Sequence, residues 1–558
     1  MNSSRPTLAV YGIQDRINSD TPFYVHDHAI TLMDQGKVIK HLTLERQTRN
    51  KHDNQLFRHI YDLLKKEGLL ANQNYDLVFV DNVVGRSFIS SCGRFRFEGP
   101  LNETLSVMPE KGRCWWLDKE HEAMAINHEL AHLGSNLPFY GEFKENSLLI
   151  HFDGGGSLSN FSDWIFRNGQ LKSLEFHWDL KYLSGFFNAN ALVFGIIGAK
   201  YNEQNSVPGK MMGLAAYGTY RQEIESWLMQ NDYFANVWGN KKMFFESAKA
   251  LFGWSKTHLS TDDPFLQDVV ATLHHIFLRD FLTKMETLQK STGADYLYYS
   301  GGSALNIVAN TQLVGSNLFK EVFIPPCCED SGLSLGAAAY VEWLKHGKLD
   351  EQSPYLNNWG LSLAAPEYTQ NDIKVCADNL VQGMVIGVCN GYGEIGPRAL
   401  GNRSILALAN SKKLADKVSM THKKREWYRP VAPVMLEKNA AYYSGQKNVH
   451  HLGRYMLLDF AIAKEKQSEI EGVVHVDGTA RIQVINSREQ NRYLFDLLTY
   501  LDEQYGIKAL INTSFNIKGE PIVNTTEGAV KSACNMNLDG VVLNGKFENL
   551  NSIAGRGM

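Results

Sequence analysis

The chain has 558 residues, 44% hydrophobic and 21% charged, with a formal net charge of −4 and a pI near 6.5. That length is too great for a single core, so two or three domains are expected. The near balance of charge gives no electrostatic reason to expect a nucleic acid or a membrane surface as partner. No 18-residue apolar run could span a bilayer, and the N-terminus lacks a basic-then-apolar leader. Seven scattered cysteines form no Cys-x-x-Cys pair, and adjacent Cys327 and Cys328 are expected to pack rather than react, which fits a reducing cytoplasm.

The first predicted elements are strands at 8–13, 29–33 and 38–44, the last two joined by a turn at Gln35-Gly36. A helix is expected from about 54 to 70 and a strand at 77–80. His128 and His132 follow, four residues apart and so on one face of a helix, a spacing that lets two imidazoles share one metal ion. A second run of strands, at 147–152, 161–166 and 171–176, repeats the opening plan. This repetition predicts an α/β fold with two similar halves, about 1–145 and 146–360, and a cleft between them.

Asp153 and Asp330 each follow an apolar run and precede small residues, a setting in which a carboxylate projects from a strand end. Together with His128 and His132 they make a hard nitrogen and oxygen donor set suited to iron, manganese or zinc. The turns Asp153-Gly154-Gly155-Gly156-Ser157 and Ser300-Gly301-Gly302-Ser303, the second leading to Asn306, have amides that could meet a phosphate or an adenosine. Neither is a Walker or a dinucleotide-binding fingerprint.

The third segment, 361–558, alternates strands and helices again, but its polar motifs differ. They are Gly396-Pro397-Arg398-Ala399-Leu400-Gly401-Asn402-Arg403-Ser404, Lys423-Lys424-Arg425-Glu426-Trp427-Tyr428-Arg429-Pro430, His475-Val476-Asp477-Gly478-Thr479-Ala480-Arg481, and Asn512-Thr513-Ser514-Phe515-Asn516. Upstream stand Gly209-Lys210-Met211-Met212-Gly213-Leu214-Ala215, the run from Glu45 to His52, and His26-Asp27. Arginine forks such as Arg398, Arg403, Arg429 and Arg481, with Lys423, can grip phosphate oxygens, and Ser514, Asn512 and Asn516 add neutral donors. Lys210, in its glycine-rich setting, could also approach a phosphate.

In this order the motifs resemble the O-carbamoyltransferase family (nebramycin 5′ synthase, cephalosporin hydroxymethyl carbamoyltransferase and NodU type). The first two segments look like the actin and Hsp70 superfamily. The resemblance implies a duplicated actin-like, Hsp70-like (Kae1-like) N-terminal domain over 1–360 and a YrdC-like C-terminal domain over 361–558. It implies that the C-terminal domain makes carbamoyl adenylate from carbamoyl phosphate and ATP with Mg²⁺, releasing pyrophosphate. The N-terminal domain would then pass the carbamoyl group to a hydroxyl of a small natural product. By the same resemblance Fe²⁺, or another divalent metal, is held by His128, His132, Asp153 and Asp330, with His26 beside the acceptor as candidate general base. Two other readings stay open: a tRNA threonylcarbamoyladenosine-type enzyme and a small-molecule kinase on the actin-like fold. A homodimer is compatible with the sequence but not fixed by it.

Three places depart from the family pattern. Asn127-His128 stands where a His-His pair is common, Ser157 stands where the glycine turn usually ends in an acid, and the stretch 14–23 ahead of His26 is longer. That stretch lies where the acceptor pocket is expected.

Overall fold

Three mixed sheets carry the architecture, which is α/β throughout. The computed structural model describes residues 5–14, 25–71, 74–100, 105–117, 119–178, 196–197, 201–230, 241–256 and 258–550. The stretch ahead of His26 therefore lies, from 15 to 24, outside the described residues.

The first sheet contains β1 (Thr7–Tyr11), β2 (Ala29–Asp34), β3 (Lys37–Thr43), β4 (Asp76–Val80), β5 (Ser87–Ile89), β6 (Phe95–Glu98), β7 (Glu110–Trp116) and β8 (Lys119–Ile126), in the order β3-β2-β1-β4-β8-β7-β6-β5. The second holds β9 (Ser147–Phe152), β10 (Phe161–Arg167), β11 (Gln170–His177), β12 (Tyr296–Ser300) and β13 (Glu321–Phe323), in the order β11-β10-β9-β12-β13. In both, the opening strand pairs antiparallel with the next and parallel with the fourth. One plan thus occurs twice, and among the described residues β5–β7 extend the first copy alone.

The second sheet's outer face is covered by the 29-residue helix Pro264–Thr292. Its ends are written in the sequence. Asp263 accepts from the Phe265 and Leu266 amides, Pro264 fills the first helical position, and Gly293 closes the end at φ 62°. Between the sheets lie the helices His128–Gly134 and Leu333–His346. The latter falls within the segment assigned from sequence to the second half, yet it packs on β1, β2 and β4. Its apolar face, including Leu335 and Ala339, completes the core of the first half, so the halves interlock.

The third sheet comprises β14 (Ile386–Cys389), β15 (Arg403–Leu408), β16 (Ala432–Leu436), β19 (Gln483–Ile485), β20 (Leu510–Ser514), β21 (Gly540–Leu543) and β22 (Lys546–Asn549); β17 (Phe460–Ala461) and β18 (Thr479–Ala480) form a small separate ladder. Its order is β19-β16-β20-β15-β14-β21-β22. Helices Gln370–Val381 and Arg492–Tyr505 cover one face through Ile373, Leu494 and Leu497. The first domain reaches into this one. Arg46 donates to the Gly396 carbonyl at 2.9 Å, and Arg49 donates to those of Ile522 and Pro521 at 2.6 and 2.8 Å. Among the described residues, no helix is long and apolar enough to cross a membrane.

Candidate functional site

Side chains from four elements converge between the first two sheets. Asn127 caps the helix His128–Gly134, its Oδ1 accepting from the Leu130 amide at 2.7 Å, so the departure from a His-His pair supplies a cap. One turn apart, His128 and His132 bring their Nε2 atoms to 3.0 Å. Asp330 Oδ1 lies 3.6 Å from the first and 3.4 Å from the second, and Asp153 Oδ2 lies 3.5 Å from His132 Nε2. Asp153 follows β9 directly. Asp330, expected at a strand end, instead opens the short turn Asp330–Gly332 that leads into the helix Leu333–His346.

These separations suit one divalent cation, since donors each about 2.1 Å from an ion stand roughly 3–3.5 Å from one another. The charges fit as well. Burial holds His128 at about 3 and His132 at about 4, so both are neutral, and burial followed by repulsion from Asp330 raises Asp153. Tyr11 donates to Asp330 Oδ2 at 2.9 Å and so orients that carboxylate.

His26 borders this cluster, its Nδ1 being 2.8 Å from Asp27 Oδ2 and 3.9 Å from Asp330 Oδ2. Asp27 also meets His52 Nδ1 at 2.9 Å. Against the effect of burial, Asp330, Asp27 and Asp153 raise His26 to about 10; a cation on Asp153 and Asp330 would offset the part those two supply and leave that of Asp27.

Three of the amides in the glycine turns are engaged within the protein. The amides of Gly154 and Gly302 donate to the Asp153 carboxylate and that of Gly301 to the Cys328 carbonyl, so these three orient a donor and close a turn, with none left over for a phosphate. Gly301 has φ +102°, and a Cβ there would stand 2.1 Å from the Phe152 carbonyl oxygen. A Cβ on Gly156 would meet the Glu129 carboxylate at 2.7 Å. Gly155 faces the Trp178 ring. Glu129 accepts from the amides of Ser157, Leu158 and Ser159 and so fixes the whole turn. Ser157, in place of an acid, donates to Asp81 and accepts from the His128 amide.

A second cluster, of cations, lies at the third sheet. Lys423, Arg425 and Arg429 come from the loop before β16, Arg481 follows β18, and Ser514 ends β20. Lys423 Nζ donates to the Ser514 carbonyl and to Asn516 Oδ1 (3.0 Å), and Arg425 reaches Ser514 Oγ at 3.3 Å. Burial, then the neighbouring cations, push Lys423 and Arg481 well below their usual values and Arg425 down to about 9. Guanidinium groups stay charged in practice, so these shifts express how strongly the cluster favours an anion. Glu426 is the nearby carboxylate, held at about 2, against burial, by Lys518, Arg429 and Lys210. Lys210, read from sequence with the first domain's phosphate contacts, pairs with Glu426 Oε1 at 3.0 Å and so joins the second cluster. Arg398 stands between the clusters, feeling Cys328 and Glu329 on one side and Arg429 on the other.

Three residues named from sequence stand apart. Arg403 is buried, and all five of its N–H groups go to the carbonyls of Asn390, Gly391, Asn402 and Asn524, leaving no donor for a ligand. The Asn512 amide binds the Ala399 carbonyl and Gln483. Asn306 caps the helix Ile307–Gly315, and its Nδ2 lies 3.1 Å from His274 Nε2. The sequence reading passed over Tyr11 and Arg425 as site residues. Arg425 carried a signal, since it stands inside a quoted basic motif. Tyr11 had none, because its partner is 319 positions away.

Residues 87–339 match the family described as carbamoyltransferase N-terminus, and residues 377–548 the family described as carbamoyltransferase C-terminus. Nodulation protein NolNO of Sinorhizobium fredii is 27% identical over 93% of this chain and 78% of its own length. The 3'-hydroxymethylcephem-O-carbamoyltransferase of Streptomyces clavuligerus is 28% identical over 61% of this chain and 65% of its own length. Among solved structures, full-length HypF in its phosphate- and nucleotide-bound form overlaps 61% of this chain and 56% of that chain, at TM-score 0.32 and 12% identity.

Proposed function

The chain belongs to the carbamoyltransferase family, and on that premise we propose that it is an ATP-dependent O-carbamoyltransferase acting on a hydroxyl of a small natural product. The observation that carries the reading is the cation cluster of buried Lys423 with the half-buried Arg398, Arg425, Arg429 and Arg481, which suits two polyanions brought together. In this reading the cluster binds carbamoyl phosphate and Mg-ATP. Water first splits carbamoyl phosphate to carbamate and inorganic phosphate; a carbamate oxygen then attacks the α-phosphorus of ATP to form the adenylate, and pyrophosphate leaves. Lys423, Arg425, Arg429 and Arg481 neutralise the developing charge, while Ser514 and Asn516 orient it.

The resulting adenylate serves the first domain, read as Kae1-like with actin-like halves; the repeated strand order supports that reading, with a YrdC-like domain after it. A divalent ion, ferrous iron by family resemblance, on His128, His132, Asp153 and Asp330 would anchor the nucleotide phosphate and polarise the carbamoyl group. His26 keeps Nδ1 on Asp27, which leaves Nε2 to take the acceptor's proton as its oxygen attacks the carbamoyl carbon and AMP leaves.

Pyrophosphate release from ATP, measured without acceptor, tests the first half-reaction. Release is expected to require carbamoyl phosphate. Arg429→Ala should cut it at least tenfold, whereas His128→Ala should leave it intact and abolish transfer to an acceptor found by screening. Release that requires threonine and bicarbonate instead would favour a tRNA-modifying enzyme, and ADP formation would favour a kinase.

A further inference from the structure

We propose that His151 is a third imidazole ligand of the metal, so that this chain holds its ion with three histidines and two aspartates. The inference rests on the metal reading above and extends its donor set.

His151 lies in β9, two residues before Asp153, on the face turned toward the helix that carries the other two histidines. It is fully buried. A ring nitrogen of His128, one of His132 and one of His151 all lie within 4.8 Å of one another. The His151 ring stacks on His132, centroids 5.1 Å apart and planes 27° apart, and meets His128 edge-on at 5.8 Å. Among the described residues its Nε2 has no hydrogen-bond partner, although an imidazole nitrogen in the interior normally has one, because an unanswered polar atom there costs roughly 1–3 kcal/mol.

The other side of the ring is arranged for ligation through Nε2. Nδ1 stands 3.5 Å from Ser162 Oγ, the cross-strand neighbour on β10. Ser162 Oγ already accepts the Trp164 indole N–H at 3.0 Å, and its second lone pair fits an N–H on Nδ1. That tautomer leaves the Nε2 lone pair free, as in metal-bound histidines whose other nitrogen is hydrogen-bonded outward. A phenylalanine or leucine would fill this buried position, on the strand face that also carries Leu149, without an unanswered nitrogen. Five donors leave one position of an octahedral shell for a substrate oxygen. Three imidazoles also tilt the preference toward Fe²⁺, Co²⁺, Ni²⁺ or Zn²⁺ and away from Mg²⁺.

The test loads the full-length chain with Co²⁺ alone and counts paramagnetically shifted, solvent-exchangeable imidazole N–H resonances. Three are expected for the unmodified protein. His151→Phe should leave two and weaken Co²⁺ binding by about tenfold or more. Two resonances in the unmodified protein overturn the proposal without any need for the variant to fold. So does a folded His151→Phe protein with unchanged Co²⁺ affinity. Failure of the unmodified chain to bind Co²⁺, or binding indifferent to His128→Ala, would instead bring down the underlying metal reading, and this inference with it.

Discussion

Arg403 and Arg425 show how one residue type takes opposite roles within a single domain. The five donors of Arg403 all go to backbone carbonyls, four oxygens in all with that of Asn524 accepting twice, so its charge is used up in holding three loops together. Arg425 has one long contact to a hydroxyl and is surrounded by other cations, so its charge is available to a ligand. Arg403→Lys should therefore act on stability. A lysine offers three donors on one atom in place of a planar fork, and the orphaned carbonyls should cost about 3 kcal/mol or more. A urea midpoint would register that loss. ATP affinity of the protein that remains folded should be unchanged, and a selective loss of ATP binding would contradict this assignment.

At the scale of elements, the metal donors depend on how closely two helices approach. His128–Gly134 brings both histidines, and Leu333–His346 begins just after Asp330. Where they cross, a Cβ on Gly336 would stand 1.8 Å from the Ala131 carbonyl oxygen, and one on Gly134 would stand 2.3 Å from the Gly336 carbonyl oxygen. Backbone touches backbone at this point, and only glycine permits it. Gly336→Ala should push the helices apart, cost about 1–3 kcal/mol, and lower Co²⁺ affinity at the same time. Chemical denaturation and metal titration of one variant check both effects. A drop in stability with full metal affinity would show that the ion does not depend on this crossing.

The whole molecule carries a pH dependence of definite sign. Burial holds His28, His41 and His451 at about 3 and His274 at about 4. In the unfolded chain these groups titrate near 6.5, so below that pH the unfolded state binds protons that the folded state refuses. The stability they contribute is full above about 6.5 and is lost as pH falls toward 4 and then 3. Each can contribute up to about 1.4 kcal/mol per pH unit over that window. Urea midpoints should therefore fall between pH 7 and pH 5, and a flat profile would mean that these histidines pick up protons in the folded state. The interlocking of the domains through Arg46 and Arg49 predicts that this acid loss is shared by both.

Local chemistry made much of this protein legible from its sequence. The alternation of strands and helices, the histidine pair one helical turn apart and the basic motifs of the third segment are short-range patterns, and periodicity and residue type suffice to read them. The roles of individual polar residues are not local. Tyr11 meets Asp330, Arg46 meets Gly396, and Lys210 meets Glu426 only because separate sheets are packed together. The same packing leaves the amides of Gly154 and Gly302 on Asp153, consumes every donor of Arg403 and sets the His151 ring against His132. Sequence decided which groups could bind an anion or a metal. Tertiary structure decided which were already satisfied by the protein itself, because a buried donor serves whichever acceptor lies nearest in space, and distance along the chain has no say in that.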